Sequence, residues 1–563
     1  MKRFSSIIIV FFLLVSCQTQ RVQKTEASKE YDNAAVITAH PLASSVGVDI
    51  LKKGGNAIDA AIAVKFALAV VYPNAGNIGG GGFLIYRGKD GEKAALDFRE
   101  KAPALAHRDM YLDSAGNAIT RLSLDGHLAT GVPGTVAGMQ EAHKKYGSLS
   151  WQELLAPAIE LANTGFKITA LQAKEFNNYQ KRFKQFSTPG AAIIRDQPWK
   201  EGDLFTQTHL ANTLGLIAKN GRDGFYKGSV ADDIVAEMKR GKGLISHDDL
   251  ENYQAIWRKP IVGDYKNYTI ISMPPSSSGG AALLALLQSV EQYPLSQWGF
   301  QSDSTIRAMV EAERRIYADR ATHLGDPDFY DVPIEYLTNK KLNQERMSKV
   351  SLEKATPSSA VSAAKFPGYE SEETTHFSIV DKDGNAVSLT TTLNGSYGSG
   401  VWVDGAGFLL NNEMDDFSAK PGSPNIYGLL GGKANSIQPG KRMLSAMTPT
   451  IIEEDGKLKM VIGTPGGSTI ITSVFQGILN TLEFGMSAQE SVSAPRFHHQ
   501  WQPDRIDVET GALSDDIRKS LIEDGYTIHK RGSIGRMENI IILPNGKRQA
   551  GADPRGDDTA AGF

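Results

Sequence analysis

The chain changes character once, sharply, and that change limits what it can fold into. From about Gly147 to Lys354 apolar residues recur at spacings of three and four, as in Trp151–Ala162, Leu210–Lys219 and Ser304–His323. This is the pattern of amphipathic helices, and Ser302 or Asp303 is placed to cap the last of them. Ala355 to Glu373 is Ser, Ala, Pro and Lys without a period and reads as an exposed loop. From Thr374 the period becomes two. Thr374 to Asp381 alternates, Lys382-Asp383-Gly384-Asn385 makes a turn, and Ala386 to Leu393 returns as the paired strand. A second hairpin follows, with Met447 to Glu454, Asp455-Gly456 and Lys457 to Gly463, and then a helix from Thr469 to Phe484. Nearer the start, Ala35–Ala39 reads as a buried strand. Pro41 opens a helix that runs to Lys53 and stops at Gly54-Gly55, and Ala57–Val71 is an Ala-rich helix carrying Asp59 and Lys65. Hairpins beside many helices predict an α/β sandwich, with layered sheets inside and helices outside.

Charge sets the partners apart. Lys plus Arg is 60 and Asp plus Glu is 63, a net charge of -3, which lacks the concentrated positive surface that nucleic acid requires. The single cysteine, Cys17, excludes an intrachain disulfide framework and any zinc site of several thiolates. It follows Lys2, Arg3 and an apolar run from Ile7 to Val15, of signal-peptide length and too short to span a bilayer. Leu14-Val15-Ser16-Cys17 has the form of a lipobox. The expectation is a lipoprotein signal at residues 1–16, a lipidated Cys17, and a polar tether over residues 17–33. The protein is then exported and periplasmic, anchored to a membrane through lipid alone, with the outer membrane as the expected site.

Several chemistries are absent from the sequence. The Gly79-Gly80-Gly81-Gly82 run lacks the Gly-Lys-Ser/Thr ending of a phosphate loop and reads as a place of tight backbone approach. There is no Gly-x-Ser-x-Gly elbow, and no spaced histidine set for a metal; His498 and His499 are adjacent and point apart. No metal or organic cofactor is expected. A nucleophile would have to be Ser, Thr, Lys or a carboxylate.

The stretch Glu373-Thr374-Thr375-His376-Phe377-Ser378-Ile379-Val380-Asp381 resembles the start of the small subunit of the gamma-glutamyltransferase (gamma-glutamyl transpeptidase) family, N-terminal nucleophile hydrolases. The similarity continues in Asp97-Phe98-Arg99-Glu100, Gly131-Val132-Pro133-Gly134-Thr135, Asn411-Asn412-Glu413-Met414-Asp415-Asp416-Phe417, Pro465-Gly466-Gly467-Ser468 and Ala494-Pro495-Arg496-Phe497-His498-His499-Gln500. It covers nearly everything from about Ala34 to Phe563, in the family's order. It implies the four-layer αββα fold and self-cleavage between Glu373 and Thr374. The products would be a large subunit (17–373, its folded part 34–373) and a small one (374–563), paired as a heterodimer in one catalytic fold. A threonine at a chain terminus carries nucleophile and base on one residue, because its α-amine, with a pKa of about 7.7–8.0, accepts the hydroxyl proton.

The resemblance also implies the other site residues. Thr392, in the returning strand, supports Thr374; Asn394, two residues on, would share its face and bind substrate. Arg99 matches the clamp for the donor's α-carboxylate, and Glu413 with Asp416 the binders of its α-ammonium. Gly466 and Gly467 match the oxyanion hole. Ser445 is kept from a serine pair that holds the carboxylate, but its neighbour is Ala446, so weaker glutamyl binding is expected. Pro421 to Lys441, with Tyr427, resembles a lid loop over small gamma-glutamyl substrates. The implied donors are glutathione or other gamma-glutamyl compounds; the implied acceptors are water, amino acids or peptides. The alternatives are a same-fold acylase, cephalosporin acylase-like or polyglutamate-processing, and a non-catalytic peptide-binding lipoprotein.

Overall fold

The computed structural model describes residues 27–361, 374–418 and 433–563. Cys17, the signal segment, Glu373 and Tyr427, with most of the expected lid, lie outside the described residues.

Two seven-stranded antiparallel sheets form the centre. The first runs, edge to edge, Thr559–Gly562, Ala35–Thr38, Thr374–Val380, Ala386–Thr392, Gly81–Arg87, Lys93–Asp97, Ile256–Arg258. The second runs Lys29–Tyr31, Arg548–Ala552, Glu538–Ile542, Lys457–Gly463, Thr450–Glu454, Tyr268–Ser272, Ile261–Tyr265. The sheets stack face to face: Ser388 Oγ donates to the carbonyl of Ile462 at 3.1 Å and accepts the N–H of Thr450 at 2.9 Å. Helices cover both outer faces. Pro41–Lys52, Ala57–Val71, Trp151–Thr164 and Thr208–Asn220 build one core with the first sheet. Gly279–Val290, Asp303–His323 and Thr469–Leu482 build the other with the second. This is the expected αββα sandwich.

Local chemistry explains the joints. Asn56 and Asp59 form a reciprocal capping box at the start of Ala57–Val71. Asp381, in the first hairpin turn, accepts the N–H groups of Asp383 and Asn385 at 2.9 Å each, and that of Ala57 at 3.0 Å. One carboxylate thus ties the turn to the helix. In the second hairpin Asp455 and Gly456 both have positive φ, 51° and 75°, the backbone that a tight two-residue turn between twisted strands requires.

The structure departs from the sequence reading in two places. The region expected to be helical from Gly147 to Lys354 also contains the hairpin Ile261–Tyr265/Tyr268–Ser272, which closes one edge of the second sheet. The polar segment expected as a tether to residue 33 is already a strand at Lys29–Tyr31, held on Arg548–Ala550.

Candidate active site

The hairpin places Thr374 directly opposite Thr392. Both lie on the face that meets the second sheet, with His376, Ser378, Ser388 and Thr390, while Phe377, Ile379, Val387 and Leu389 pack on the helices. The inward face is therefore polar toward the Thr374 end, with its histidine, serines and Thr390 hydrogen-bonded. His376 Nδ1 meets Thr390 Oγ1 at 2.8 Å and its Nε2 meets Ser378 Oγ at 3.0 Å; burial pushes its pKa down to about 3, so it stays neutral. Thr374 stands at the strand's end and is 5% exposed.

Thr392 Oγ1 accepts the backbone N–H of Asn394 at 2.7 Å. The strand ends at Thr392 and Asn394 has φ 73°, so the two-residue strand period does not reach it. The shared-face expectation gives way to a different link, a turn closed by the Asn394 amide. The Asn394 side chain donates to the carbonyl of Asn412 at 2.9 Å, tying the nucleophile hairpin to the acidic turn Glu413–Asp416.

Around these threonines the backbone is packed too closely for side chains. A Cβ on Gly79, Gly80 or Gly82 would lie 2.2, 2.2 or 2.4 Å from the carbonyl oxygens of Leu409, Thr392 and Thr390. The glycine run is thus a site of close approach, as expected. Asn411 fixes its position, donating to the carbonyls of Gly79 and Gly131 at 2.8 Å each and accepting the N–H of Gly131 and of Glu413 at 2.9 and 3.0 Å.

Gly463 packs on the His376 ring and Ile462 lies over Ser388, so the chain beyond Gly463 travels toward Thr374. There it makes the turn Gly466-Gly467, with φ of 135° and 56°, which L side chains rarely adopt. The turn leads into the helix Thr469–Leu482, and among the described residues no acceptor takes the N–H of Gly466 or Gly467. Two such donors at a helix start are suited to a developing negative charge. Tyr317 OH donates to the carbonyl of Ser468, and Ser468 Oγ donates to Gln500 Oε1 at 2.8 Å, which fixes the turn from behind. His498 meets Thr472 Oγ1 and Gln500 Oε1 at 2.8 Å each, whereas His499 turns to Asp504 at 3.3 Å; the two rings diverge as read from the sequence.

The charged part of the site is buried and unbalanced. Arg99 Nη1 lies 2.6 Å from Glu413 Oε2 and 3.6 Å from Glu100 Oε2, and Nη2 donates to Asp416. Arg99 also reaches the carbonyls of Met443 (3.3 Å) and Leu444 (3.4 Å), which places Ser445 and Ala446 beside it. Ser445 Oγ accepts the N–H of Met447 at 3.1 Å, and the Ser445 carbonyl takes Ser278 Oγ at 2.6 Å. Both oxygens of Glu100, both of Glu413 and Oδ1 of Asp416 have no hydrogen-bond partner. Burial raises the pKa of Glu413 far above the carboxylate range, and raises Glu100 to about 7 and Asp416 in the same direction, with Arg99 opposing in each case. Unsatisfied acceptors around one guanidinium fit a ligand that brings its own cation and anion.

The sequence reading located Thr374, Thr392, Arg99, Glu413, Asp416, Ser445, Ala446, Gly466 and Gly467 within this region. It missed Glu100 as a separate charge, Arg320, whose Nε donates to Ser278 Oγ at 2.9 Å and whose charge acts on Asp416, and Tyr317. Glu100 had a signal, being part of the Asp97–Glu100 motif; Arg320 and Tyr317 lie one turn apart on a long helix and look like any core-facing pair.

This fold and site are those of an N-terminal nucleophile hydrolase. The family model for gamma-glutamyltranspeptidase matches residues 43–563, and the chain belongs to that family. It is 47% identical over 531 residues to the glutathione hydrolase proenzyme of Escherichia coli (strain K12), covering 94% of this chain and 91% of that one. Among solved structures, cephalosporin acylase from Bacillus halodurans superposes with a TM-score of 0.85 at 27% identity, covering 98% of this chain and 99% of that one. Helicobacter pylori gamma-glutamyltranspeptidase gives 0.56 at 46% identity, over 57% of this chain and 93% of that one.

Proposed function

We propose that the protein is a self-processing gamma-glutamyltransferase and glutathione hydrolase, with Thr374 as nucleophile. The observation that carries this reading is the buried Arg99 set against Glu413 and Asp416 beside the Thr374 strand end. A gamma-glutamyl group offers a free α-carboxylate for the guanidinium and a free α-ammonium for the two acids. In the empty site these groups pair with one another; the donor separates them and satisfies both.

Maturation begins with Thr374 Oγ attacking the carbonyl of Glu373; the C–N bond between the two residues breaks, which leaves an ester and a free α-amine, and water then cleaves the ester to release the Glu373 carboxylate and restore the Thr374 hydroxyl. The strand Thr374–Val380 lies between Ala35–Thr38 and Ala386–Thr392, so the 34–373 and 374–563 parts remain joined by a continuous sheet. In turnover the α-amine takes the Oγ proton as Oγ attacks the γ-carbonyl of the donor. The oxyanion is held by the amides of Gly466 and Gly467. The amine returns the proton to the leaving nitrogen, which releases cysteinylglycine from glutathione. Water or the amine of an amino acid or peptide then takes the glutamyl group from Thr374, and the enzyme is restored. Thr392, held by the Asn394 amide, orients the nucleophile.

We also place the mature protein on a periplasmic membrane through lipidated Cys17. Incorporation of labelled palmitate, lost in Cys17→Ser, checks that assignment.

Purified protein starting at Gln18 is expected to release p-nitroaniline from gamma-glutamyl-p-nitroanilide and glutamate from glutathione. Failure on both donors, with hydrolysis of a glutaryl or cephalosporin amide instead, would move the protein to the acylase reading.

A further inference from the structure

Ser468 stands at the start of the helix Thr469–Leu482, a place where serine ordinarily accepts an amide of the first turn with its hydroxyl. Here it makes no such bond. Its backbone is helical, with φ -57° and ψ -26°, and its Oγ instead donates to Gln500 Oε1 at 2.8 Å. A serine cap contributes about 1 kcal/mol, and forgoing it keeps an acceptor away from the helix start. The turn that leads into this helix carries the amides of Gly466 and Gly467.

The partner of that hydroxyl is held in turn. Gln500 Nε2 donates to the carbonyl of Gln502 at 3.0 Å, which sets the amide so that Oε1 faces Ser468 and His498. An amide oxygen only accepts, so the ring nitrogen that meets it at 2.8 Å, His498 Nε2, carries the proton. Burial pushes the His498 pKa down to about 3, so the ring is neutral and its Nδ1 accepts; Thr472 Oγ1 donates to it at 2.8 Å. Thr472 lies one turn along the helix from Ser468. Ser468, Gln500, His498 and Thr472 therefore close a ring of bonds across the first helical turn. Two further contacts fix the imidazole. Tyr317 meets it edge-on, with ring centroids 5.6 Å apart and planes at 80°, and the same Tyr317 donates its hydroxyl to the Ser468 carbonyl. Gln476 accepts the Phe497 amide at 3.2 Å and donates to the Phe497 carbonyl at 2.6 Å, pinning the backbone next to the ring.

We propose that His498 is a positioning residue for the oxyanion turn: by donating to Gln500 it keeps that amide on the Ser468 hydroxyl, and so holds the amides of Gly466 and Gly467 free and in one orientation while negative charge develops. The proposal rests on the oxyanion role given to Gly466 and Gly467 in the function proposed above. His498 acts through Gln500 and Ser468. Without its ring, Gln500 loses a bond that fixes its side chain, and the Ser468 hydroxyl is released toward its ordinary place as a cap. The Gly466-Gly467 backbone, with positive φ at both residues, then has one restraint fewer. Displaced donors cost the transition state more than the bound donor, because the charge they meet is formed only there. The loss therefore falls on kcat and spares binding.

The test is steady-state turnover of gamma-glutamyl-p-nitroanilide, with the inhibition constant of L-glutamate, in the wild type, His498→Leu, His498→Gln, Ser468→Ala and the double variant His498→Leu/Ser468→Ala. His498→Leu is expected to mature, and to lower kcat and kcat/KM alike by about 10- to 100-fold, less than the roughly 100- to 1000-fold for an oxyanion donor removed outright. L-glutamate needs the Arg99 cluster but no oxyanion, and should inhibit this variant as it does the wild type. His498→Gln, whose amide still donates where Nε2 did, should recover most of the loss. Because the effect runs through Ser468, the double variant should fall no further than the weaker single one. A wild-type kcat in His498→Leu overturns the proposal. So does a weakening of glutamate inhibition as large as the loss in kcat/KM, or losses that multiply in the double variant. Should His498→Leu not mature, Ser468→Ala decides: an unchanged kcat there is equally contradictory. A wild type that hydrolyses a glutaryl amide and ignores the gamma-glutamyl donor would refute the underlying reading alone, and the kcat comparison is then made on that amide.

Discussion

Arg555 and Arg99 both stand among buried carboxylates, yet their surroundings are opposite in kind. Around Arg555, two arginines face two acids. Glu509 Oε1 and Oε2 accept from Arg555 at 2.8 and 2.6 Å and also take the amides of Ile534 and Arg496. Asp553 accepts from Arg496, Arg555 and the Met537 amide. Burial would raise the pKa of Asp553, but Arg496 and Arg555 overcome it and hold it below the usual range. Around Arg99 three acids face one guanidinium, and burial raises all three. Charge matching and saturation make the first cluster structural. The second is incomplete as it stands, and what it lacks has the chemistry of an amino-acid zwitterion.

Removing the central arginine should separate the two most widely. Arg555→Met leaves the buried Glu509 without its arginine and Asp553 with Arg496 alone, an expected loss of about 3–5 kcal/mol of stability that denaturant melts will read. Arg99→Met leaves acids that are already inclined to protonate, so the fold should survive. The same substitution should lower kcat/KM for a gamma-glutamyl donor by roughly 30- to 3000-fold, from a lost charge pair of about 2–5 kcal/mol. Equal melting losses in both variants would erase the distinction.

Neutral replacements of the acids should give pH trends of opposite sign. Glu413 is raised in the folded protein, so its ionisation opposes folding, and stability is lost as pH rises above the unfolded carboxylate value of about 4.3. Glu413→Gln removes that loss, and its Tm should exceed the wild type's by a few degrees at pH 8, with the gap closing toward pH 5. Asp553 is depressed, so its contribution is present above an unfolded value of about 3.9 and is lost as pH falls. Asp553→Asn should melt below the wild type at pH 8, with the deficit shrinking on acidification. Parallel trends would contradict the assignment.

The smallest effect is at the rim of the Arg99 cluster. Ala446 is buried beside Met447 in the core of the second sheet, and the position next to Ser445 offers no hydroxyl. Ala446→Ser is expected to lower the donor KM about two- to threefold with kcat unchanged, about 0.5 kcal/mol for one added neutral hydrogen bond. An unchanged KM would show that the Arg99 cluster does not extend to this position.

The comparison also explains what could be read from residues alone. The hairpin Thr374–Val380/Ala386–Thr392 was legible because alternation and a Lys-Asp-Gly-Asn turn both declare it, and its register follows from that turn. The hairpin Ile261–Tyr265/Tyr268–Ser272 was not, because its Lys266-Asn267 turn carries no glycine and it sits between helices. Lys266 takes a positive φ of 52° there, a conformation that the sequence did not announce. The site residues Arg99, Glu413 and Asp416 were reached through motif resemblance, since an isolated acidic turn looks like a solvated one. Lys65 was visible as a charge in an Ala-rich helix. Its partner, the carbonyl of Asn77, is brought to it only by the packing of that helix.

The central claim is that Thr374 becomes a chain terminus and then the nucleophile. Intact mass of the purified protein, with and without Thr374→Ala, addresses it most directly. The wild type should give two fragments meeting between Glu373 and Thr374, and the variant one uncut, inactive chain. A wild type that stays whole while releasing p-nitroaniline from gamma-glutamyl-p-nitroanilide, or a Thr374→Ala protein that is still cut at this bond, would contradict the account.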